Sequence, residues 1–287
     1  MTRYVIITPI RDEEKYVAAT IESVIRQTLL PVEWVLVDDG SSDRTGEIVD
    51  GYAACFPWMR VLHRVNRGFR KAGAGVIEAF NDAYNHLRTQ NWEFIVKLDG
   101  DLTFSPDYFE QCFAYFDGEP CLGIGGGDVY HQIAGKLKLE RNPRFHVRGA
   151  TKIYRRACWE AIGGLLTAPG WDTIDEVKAN MLGWKTRSFP ELRLLHHRLT
   201  GTSEGLWRDQ VKHGQACYVA GYHPFFLLAS CLRRLYRRPY VLGSIAMLWG
   251  FLNGYLGHKA RVDDTRLISY LRDQQLRRLC GLETIWK

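Results

Sequence analysis

Two carboxylates separated by one glycine follow an apolar run of the chain. The run FIVKL (94–98) is typical of a strand buried on both faces of a parallel sheet, and Asp99, Gly100 and Asp101 come directly after it. In open α/β sheets, ligands bind outside the carboxyl ends of the strands. Two acids this close repel each other unless a cation lies between them, and their oxygens suit Mg²⁺ or Mn²⁺. Gly100 would let this turn adopt a backbone shape that other residues resist. Asp99 and Asp101 therefore predict a metal-diphosphate site, and the alternative is a solvated Asp-Gly-Asp turn.

A second pair of acids lies at the end of another apolar run. Residues 32–37 predict a buried strand that leads into VDDGSSDRT (37–45). Asp38 and Asp39 therefore come at the carboxyl end of this strand, where ligands bind. Ionised carboxylates accept hydrogen bonds only, so these two are candidates to bind a base N–H group or the hydroxyls of a ribose.

The elements that position these acids alternate between strand and helix. Apolar runs predict strands, and apolar residues at helical spacing predict helices between them. The predicted strands are 4–8, 32–37, 59–64, 94–98 and 186–195, and the predicted helices of this part are 15–28, 45–54, 74–88, 106–116 and 170–184. Strands and helices in this order predict a doubly wound α/β domain, Rossmann-like, with a mostly parallel central sheet flanked by helices.

A glycine-rich basic loop, NRGFRKAGAG (66–75), follows the third predicted strand. It lacks the Gly-Lys-Ser/Thr of a Walker loop. Arg67, Arg70 and Lys71 are candidates to hold phosphates together with the N–H groups of the helix that follows. The alternative is a solvated loop.

Length and cysteine usage limit the class of protein. A chain of 287 residues suits one large domain, or one domain with an appendage. Its seven cysteines are scattered without a CxxC pair, which indicates buried thiols in a reducing compartment. The N-terminal sequence MTRYVIITPIRDEE becomes acidic too soon for a signal peptide. We therefore expect a cytoplasmic protein.

The motifs IITPIRDEE (6–14), VDDGSSDRT, the basic glycine loop and LDGD occur in an order and at spacings that resemble the family 2 glycosyltransferases with the GT-A fold. The resemblance covers about residues 4–200. It implies a catalytic domain at 1–200, with a nucleotide-sugar half at about 1–104 and an acceptor half at about 105–200. Residues 201–287 would then form a helical C-terminal extension.

The resemblance also implies roles for individual residues. The region of Pro9, Arg11 and Glu13, together with Asp39, would hold the nucleoside. Asp99 and Asp101 would hold the diphosphate, with Asp101 directly on the metal. The segment RGATKIYRR (148–156) is similar to the segment that lines the sugar and acceptor pocket in this family, and Arg148 is its candidate substrate-binding residue.

An inverting sugar transfer needs a general base that takes the proton of the acceptor hydroxyl. In the family this base is the Asp of an acidic pair at the start of a helix, and the family's spacing back from Gly183 falls on Trp171 and Asp172, with Trp171 in place of the usual Glu. Asp172 is thus the first candidate. Asp175, three residues later on the same helix face, is the second, whereas Glu176 is rotated by about 100° from it. The alternative is that Asp172 only favours the helix N-terminus.

Two adjacent histidines, His196 and His197, end the last predicted strand. A neutral imidazole is a common metal ligand, and the family often presents a histidine to the metal or diphosphate near this point. His196 is taken as the candidate metal ligand. The sequence alone leaves open which of the two faces the site.

The composition changes in the C-terminal third. Residues 196–287 contain 14 Lys and Arg against 6 Asp and Glu, whereas the rest of the chain is slightly acidic. Two apolar segments surround RRLYRRP (233–239), and the longer one, residues 240–257, is marginal for spanning a bilayer. Two interpretations stay open for residues 223–261: helices that lie on an anionic membrane surface, or helices that pack against the catalytic domain or a second copy. Residues 263–279 predict an amphipathic helix.

The sequence therefore predicts a Mg²⁺- or Mn²⁺-dependent inverting glycosyltransferase. Its donor would be a nucleotide-diphospho-sugar, with UDP favoured, and its acceptor a saccharide or lipid-linked saccharide of a cell-surface polysaccharide. The alternatives are transfer of a sugar to polyprenyl phosphate and a non-catalytic protein that binds nucleotide sugars or glycans. Nucleic acid is not an expected partner, whereas an anionic inner membrane surface that binds residues 223–261 and a second copy of the chain both stay open as partners.

Overall fold

The first part of the chain alternates strand and helix, as the sequence predicts. The computed structural model describes residues 2–68, 74–133, 135–198, 205–235 and 240–286. Its first elements are β1 (Tyr4–Ile10), α1 (Val17–Ile25), β2 (Glu33–Asp38), α2 (Thr45–Ala53), β3 (Met59–His63), α3 (Ala74–Asn85) and β4 (Phe94–Leu98). Every strand and helix predicted for this part is present in the structure. The helices are shorter than predicted at one or both ends.

The second part contains strands that the sequence reading missed. Its elements are β5 (Leu102–Phe104), α4 (Tyr108–Gly118), β6 (Leu122–Ile133), β7 (Lys136–Leu139), β8 (Thr151–Arg155), α5 (Arg156–Ile162), α6 (Trp171–Met181) and β9 (Lys185–His196). Strand β6 carries four glycines, a residue that lowers strand propensity. These glycines are required by close contacts, since a Cβ at Gly127 would lie 2.4 Å from the carbonyl oxygen of Leu192.

One sheet joins both parts in the order β3-β2-β1-β4-β8-β6-β9-β5, and β7 pairs with β6. Strands β3, β2, β1 and β4 are parallel, β8 is antiparallel to β4 and β6, and β9 is parallel to β6 and antiparallel to β5. The sheet is thus mixed, and only its first half is the parallel sheet that the sequence predicts. The predicted α/β architecture is confirmed.

The central strands are buried on both faces. Along β1, Tyr4 and Ile6 pack into one apolar core, and Val5 and Ile7 pack into a second core on the other face. Successive side chains of a strand point to opposite faces, so helices cover both sides of this sheet. The parallel strands are therefore buried along their length, and their polar carboxyl ends lie together at one edge of the sheet.

Four helices form the C-terminal part: α7 (Leu206–Val219), α8 (Pro224–Arg234), α9 (Tyr240–Leu256) and α10 (Thr265–Leu279). Helices α7 and α9 cross closely, because a Cβ at Gly250 would lie 2.0 Å from the Val211 carbonyl oxygen. Helix α10 packs on α6 through Leu267 and Leu271. No helix among the described residues is both long and apolar enough to cross a bilayer.

Candidate active site

The two acids after β4 lie beside the end of β9. Leu102 of β5 pairs with His196 of β9, which brings the histidine next to the acid pair. His196 Nε2 lies 3.1 Å from Asp101 Oδ2. One ligand atom from each of Asp99, Asp101 and His196 lies within 4.8 Å of the others.

This cluster has the chemistry of a divalent cation site. Two carboxylates and one imidazole suit Mn²⁺ or Mg²⁺ with water or phosphate in the remaining positions. Asp101 is buried, and Nδ1 of His196 is buried without a hydrogen-bond partner among the described residues. Burial lowers the pKa of His196, but its hydrogen bond to Asp101 and the nearby carboxylates outweigh burial, and the pKa is raised. The residues at this position therefore attract positive charge, as a cation site must.

Gly100 serves a different purpose from the one that the sequence suggests. Its φ is not positive, so the turn does not need a left-handed residue. A Cβ at Gly100 would lie 2.4 Å from Cγ2 of Ile10. The glycine is therefore needed for the close approach of the end of β1 to the acid pair.

A buried lysine supports Asp99 from behind. Lys97 is 2% exposed, and its ammonium group contacts the Asp99 carboxylate and donates to the carbonyl oxygen of Gly149 at 2.5 Å. Burial raises the pKa of Asp99, against the opposing charge of Lys97. Because a buried charge is retained only when it is paired, Lys97 fixes the Asp99 carboxylate at the strand end.

The two histidines have different surroundings. His196 faces the acids, whereas the ring of His197 stacks on Tyr16 at 5.6 Å and its Nε2 is hydrogen-bonded with Thr103 Oγ1 at 3.0 Å. Burial lowers the pKa of His197. The geometry thus brings His196, and not His197, to the candidate metal cluster.

The loop after β1 is tied to the loop after β2. The Asp12 N–H donates to Ser41 Oγ at 3.0 Å, and the Glu13 N–H donates to Thr45 Oγ1 at 2.8 Å. Asp12 has a φ of 54°, a left-handed conformation in which aspartate is tolerated. These contacts hold the loop that carries the predicted nucleoside-binding residues beside the end of β2.

The predicted nucleoside-binding residues of this loop make their own contacts. Pro9 pairs with Val37 inside the sheet. An Arg11 Nη2–H group donates to Asn66 Oδ1 at 3.0 Å, towards the basic loop. Glu13 is buried, and Arg198 donates to its Oε2 at 2.7 Å. Arg198 follows β9. Its ion pair with Glu13 therefore connects the loop after β1 to the segment after His196.

Asp38 and Asp39 are both buried but differ in their partners. One oxygen of Asp38 accepts from the Ser41 N–H group at 2.9 Å, and the other contacts His63 at 3.1 Å, so Asp38 holds its own loop. Asp39 pairs with Arg64 at 2.7 Å and with Arg67. Asp39 therefore joins the end of β2 to the start of the basic loop.

The basic loop is described only in part. Arg67 contacts Asp39, whereas Arg70 and Lys71 lie outside the described residues. Helix α3 begins at Ala74, as predicted. Phosphate binding by Arg70 and Lys71 stays a prediction from the sequence.

The two residues predicted as candidate bases lie on α6. Asp172 lies in the first turn of this helix and is half-buried. Burial raises its pKa, but the charges of His146, Lys152 and Arg148 outweigh burial, and the pKa is lowered. The carboxylate is therefore ionised at neutral pH, which a general base requires.

Asp175 and Glu176 lie deeper, behind Asp172. Lys152 donates to both oxygens of Asp175 at 2.9 Å, and the Tyr154 hydroxyl donates at 2.6 Å. Lys152 also lies 2.9 Å from Glu176, to which the Val147 N–H donates at 2.7 Å. Burial raises the pKa of Asp175 to about 6. Both oxygens of Asp175 are thus engaged by the protein.

Arg148, the predicted substrate-binding residue, is connected to the candidate metal cluster by polar contacts. It pairs with Glu140 at 2.8 Å, and Glu140 lies 3.3 Å from His131 Nε2. His131 Nδ1 lies 3.3 Å from the carbonyl oxygen of His196. A chain of polar contacts therefore runs from the predicted acceptor residue Arg148 to the candidate metal ligand.

A cavity of about 470 Å³ opens between α7 and the first turn of α6. Its lining includes Arg148 and Asp172 together with His146 and His213, but Asp175 is not part of it. The segment at Gly149 separates the cavity from the acid pair: Lys97 bonds the Gly149 carbonyl oxygen, and a Cβ at Gly149 would lie 3.4 Å from Cβ of Asp172. The candidate base thus lines a space of substrate size, and only the segment at Gly149 lies between it and the Lys97–Asp99 pair.

Several residues of the site were missed by the sequence analysis. Lys97 is a single lysine within an apolar strand run, which is a readable signal of buried, paired charge. Lys152 lies in RGATKIYRR (148–156), where three arginines hide that signal. Arg198, Glu140 and His213 carry no such local signal. Their place in the site depends on which strands and helices pack together, and no local pattern in the sequence predicts this packing.

Comparison with known proteins decides the family. The family model described as Glycosyl transferase family 2 matches residues 5–164, which is more than half of the chain. The chain belongs to this family. The resemblance drawn from the VDDGSSDRT and LDGD motifs is therefore confirmed.

Relatives and solved structures of glycosyltransferases match this family 2 chain. It is 40% identical over 96 residues to glycosyltransferase GlyG of Streptococcus pneumoniae serotype 4, covering 33% of the chain and 29% of GlyG. The chain spans less than half the length of the first relatives that it matches.

The solved structures match almost the whole chain. Mannosyltransferase PcManGT of Pyrobaculum calidifontis, in complex with GDP-Man and Mn²⁺, has a TM-score of 0.58 at 16% identity, covering 96% of this chain and 80% of that one. TarS 1-349 of S. aureus in complex with UDP-GlcNAc has a TM-score of 0.55 at 15% identity, with coverage of 96% and 81%. At these identities the likeness is one of fold.

Proposed function

We propose that this family 2 protein is a metal-dependent inverting glycosyltransferase. It moves a sugar from a nucleotide-diphospho-sugar to a saccharide or lipid-linked saccharide in the synthesis of a cell-surface polysaccharide. The observation that carries the proposal is the cluster of Asp99, Asp101 and His196 beside a cavity lined by Asp172. A cation site for a diphosphate and an ionised carboxylate for an acceptor hydroxyl are the two groups that such a transfer needs.

Asp99, Asp101 and His196 would hold Mg²⁺ or Mn²⁺. The bound cation would supply Lewis-acid stabilisation of the diphosphate leaving group. The role of the chain is to keep the three ligands in place: Lys97 holds Asp99, and the pairing of β5 with β9 holds His196 beside Asp101. PcManGT, which has the same fold, was solved with GDP-Man and Mn²⁺.

Asp172 is the proposed general base. Its carboxylate lines the cavity, and the neighbouring positive charges keep it ionised. Asp175 is the weaker candidate, because Lys152 and Tyr154 already occupy its two oxygens. Asp172 would take the proton of the acceptor hydroxyl as that hydroxyl attacks the anomeric carbon, and no covalent intermediate with the enzyme is needed.

The nucleoside would bind at the ends of β1 and β2. Asp39 and Arg11 border the described part of the basic loop, and Pro9 and Glu13 belong to the strand end beside it. Asp38 would act by holding the loop, since both its oxygens are engaged within the protein. A UDP-linked donor is proposed; TarS, of the same fold, was solved with UDP-GlcNAc.

The outer face of α9 supports an acceptor that is bound to lipid. Apolar side chains recur along it at intervals of three and four residues, and each is 49–70% exposed: Leu242, Ile245, Trp249, Leu252 and Leu256. Exposed cations follow the helix at Lys259 and lie on α8 at Arg233. An apolar stripe with flanking positive charge fits the surface of an anionic membrane leaflet. We propose that this face binds the inner surface of the cytoplasmic membrane.

A nucleotide-sugar panel tests the proposed function. The thermal midpoint of the protein is measured with UDP-, GDP- and dTDP-sugars, with and without Mn²⁺, because a ligand of the folded state raises the midpoint. We expect a rise with one nucleotide class that depends on Mn²⁺. Asp172→Asn should keep this rise and reduce sugar transfer by about 10²–10⁴-fold. Absence of any Mn²⁺-dependent rise would contradict the proposal, and full transfer activity in Asp172→Asn would contradict the base.

A further inference from the structure

A second cavity, of about 420 Å³, adjoins the one at Asp172 and lies among the C-terminal helices. Asn142, His146, Thr173, His213 and Tyr222 line both cavities, so the two form one continuous space. Aromatic side chains border the second cavity, with the Phe145 and Trp286 rings 4.8 Å apart and the Phe226 and Trp286 rings 5.7 Å apart. It is thus a built space that reaches from the candidate base to the C-terminal part.

Four arginines from three separate parts of the chain line this second cavity. Arg141 precedes β8, Arg233 and Arg234 end α8, and Arg278 lies in the last turn of α10. The lining contains neither aspartate nor glutamate. In the described part of the chain, Arg141, Arg233 and Arg278 form no ion pair with a carboxylate. The cavity therefore concentrates positive charge that the protein itself does not neutralise.

Three of these four arginines also stabilise the helix in which they lie. Cations in the last turn of a helix favour its dipole, which applies to the arginines of α8 and α10. Arg141 lies in the segment between β7 and β8 and has no helix to stabilise. Arg234 is engaged in part, because one Nη group donates to Gln210 at 3.3 Å. Arg141 therefore argues most directly for an anionic ligand.

We propose that the second cavity binds a phosphate ester, in mono- or diphosphate form, on the acceptor, so that the acceptor hydroxyl reaches Asp172 in the adjoining cavity. This inference rests on the proposed function, because it assigns a part of the acceptor. Arginine presents a planar fork of N–H groups that matches phosphate oxygens. Four such groups without a carboxylate suit a multiply charged phosphate better than the single charge of a uronic acid.

The side chains that line both cavities also fit a phosphate in the second cavity and a sugar near Asp172. Burial and the charge of Arg234 lower the pKa of His213 to about 4, so this histidine is neutral between the two cavities. The arginine cluster then binds the anion, and neutral His213 and the aromatic side chains contact the sugar. Asp172 stays free of direct competition from the phosphate, which lies at the other end of the space.

Isothermal titration with small anions tests the site directly. The probes are octyl phosphate, glycerol phosphate and, as an uncharged control, octyl glucoside, each added to the full chain in the presence of excess UDP and Mn²⁺. The test variant is R141Q/R278Q, whose two side chains are exposed and whose loss leaves the core intact. The matched control for net charge is R193Q/R266Q, two exposed arginines outside the cavity.

We expect octyl phosphate to bind the wild type and to bind R141Q/R278Q about tenfold or more weakly, with R193Q/R266Q unchanged. Equal binding by R141Q/R278Q, an equal loss in R193Q/R266Q, or equal binding of octyl glucoside would overturn the proposal. Displacement of octyl phosphate by glucuronate at similar concentration would also overturn it, in favour of a carboxylate ligand. Binding of glycerol phosphate as tightly as octyl phosphate would identify a free phosphate ester as sufficient; weaker binding would identify a lipid phosphate.

The proposed function and this inference fail separately. Nucleotide binding is measured on the same variants by the Mn²⁺-dependent rise in thermal midpoint. If that rise is absent in the wild type while the arginine-dependent binding of octyl phosphate is present, the transferase proposal fails and the anion site stands. If the rise in thermal midpoint is present and anion binding does not depend on the arginines, the anion site fails and the transferase proposal stands.

Discussion

Lys97 and Lys152 lie directly opposite each other on the antiparallel strands β4 and β8, and both are buried. Like charges in such a cross-strand pair are destabilising. Each lysine is neutralised on its own side, Lys97 by Asp99 and Lys152 by Asp175. The ring of Trp171 lies 5.5 Å from each ammonium group. The pair therefore couples the candidate metal cluster to the helix that carries the candidate base.

Lys152→Met should destabilise the protein strongly. The change leaves the buried carboxylate of Asp175 without its cation and leaves Glu176 with His146 alone. Loss of one partner of a buried ion pair costs about 3–5 kcal/mol. Urea unfolding of the variant measures the free energy of unfolding. Lys185→Met removes an exposed lysine that pairs with Glu119, and should leave this free energy unchanged within error. Equal effects of the two changes would contradict the role of Lys152.

The contact between His146 and Glu176 predicts a pH dependence of stability. Burial lowers the pKa of His146, but the Glu176 carboxylate at 2.8 Å outweighs burial, and the pKa is raised. A folded-state pKa above the unfolded value gives stability that is complete below the unfolded pKa of about 6.5 and is lost as pH rises through the folded pKa.

Urea unfolding of the wild type and His146→Gln, between about pH 6 and about pH 8.5, measures this effect. The free energy of unfolding of the wild type should fall relative to that of the variant as pH rises. Asp172 and Lys152 also face His146 and remain in both proteins, so their contributions cancel in the difference. Parallel pH curves would exclude the contribution of His146.

Gly250→Ala should loosen the C-terminal helices. A Cβ at this position would meet the Val211 carbonyl oxygen of α7 at 2.0 Å, so the helices must separate. Overpacking of this kind costs about 1–3 kcal/mol. Gly118→Ala, at a helical glycine with nothing within 4 Å, is the control and should gain up to about 1 kcal/mol in the same unfolding assay. A stable Gly250→Ala protein would show that the crossing is not close.

The apolar face of α9 predicts binding to anionic membranes. W249S/L252S removes two half-exposed apolar side chains from the stripe and should weaken binding to phosphatidylglycerol vesicles about tenfold or more at low salt. L30S/L182S removes two leucines of similar exposure elsewhere on the surface and should bind as the wild type does. Sedimentation with vesicles measures both. Lack of binding by the wild type would exclude the membrane proposal.

The sequence predicts the parallel half of the fold well, because local signals suffice there. Each buried strand is a continuous apolar run, and Asp38, Asp39, Asp99 and Asp101 come where these runs end. In parallel strands the carboxyl ends share one edge, so the position of these acids follows from the strand order alone.

The antiparallel half is less readable, since its strands depend on distant partners. Strand β6 is rich in glycine, and only the close approach of Leu192 and Thr151 explains Gly127 and Gly126. The burial of Asp175 follows from the position of Lys152 on β8, a strand that the sequence reading did not identify. The second cavity depends on Arg141 and Arg278, which are far apart in the chain, so no local pattern brings them together.

Titration of Mn²⁺ into the UDP-saturated protein tests the central claim most directly, with free Mn²⁺ followed by its electron paramagnetic resonance signal. The comparison is between the wild type, Asp101→Asn and Asp117→Asn, an exposed aspartate of α4 that serves as the control. We predict that the wild type and Asp117→Asn bind Mn²⁺ equally, and that Asp101→Asn binds it at least about tenfold more weakly with an unchanged unfolding midpoint. Equal Mn²⁺ affinity in Asp101→Asn and the wild type would contradict a metal-dependent transferase built on Asp99, Asp101 and His196.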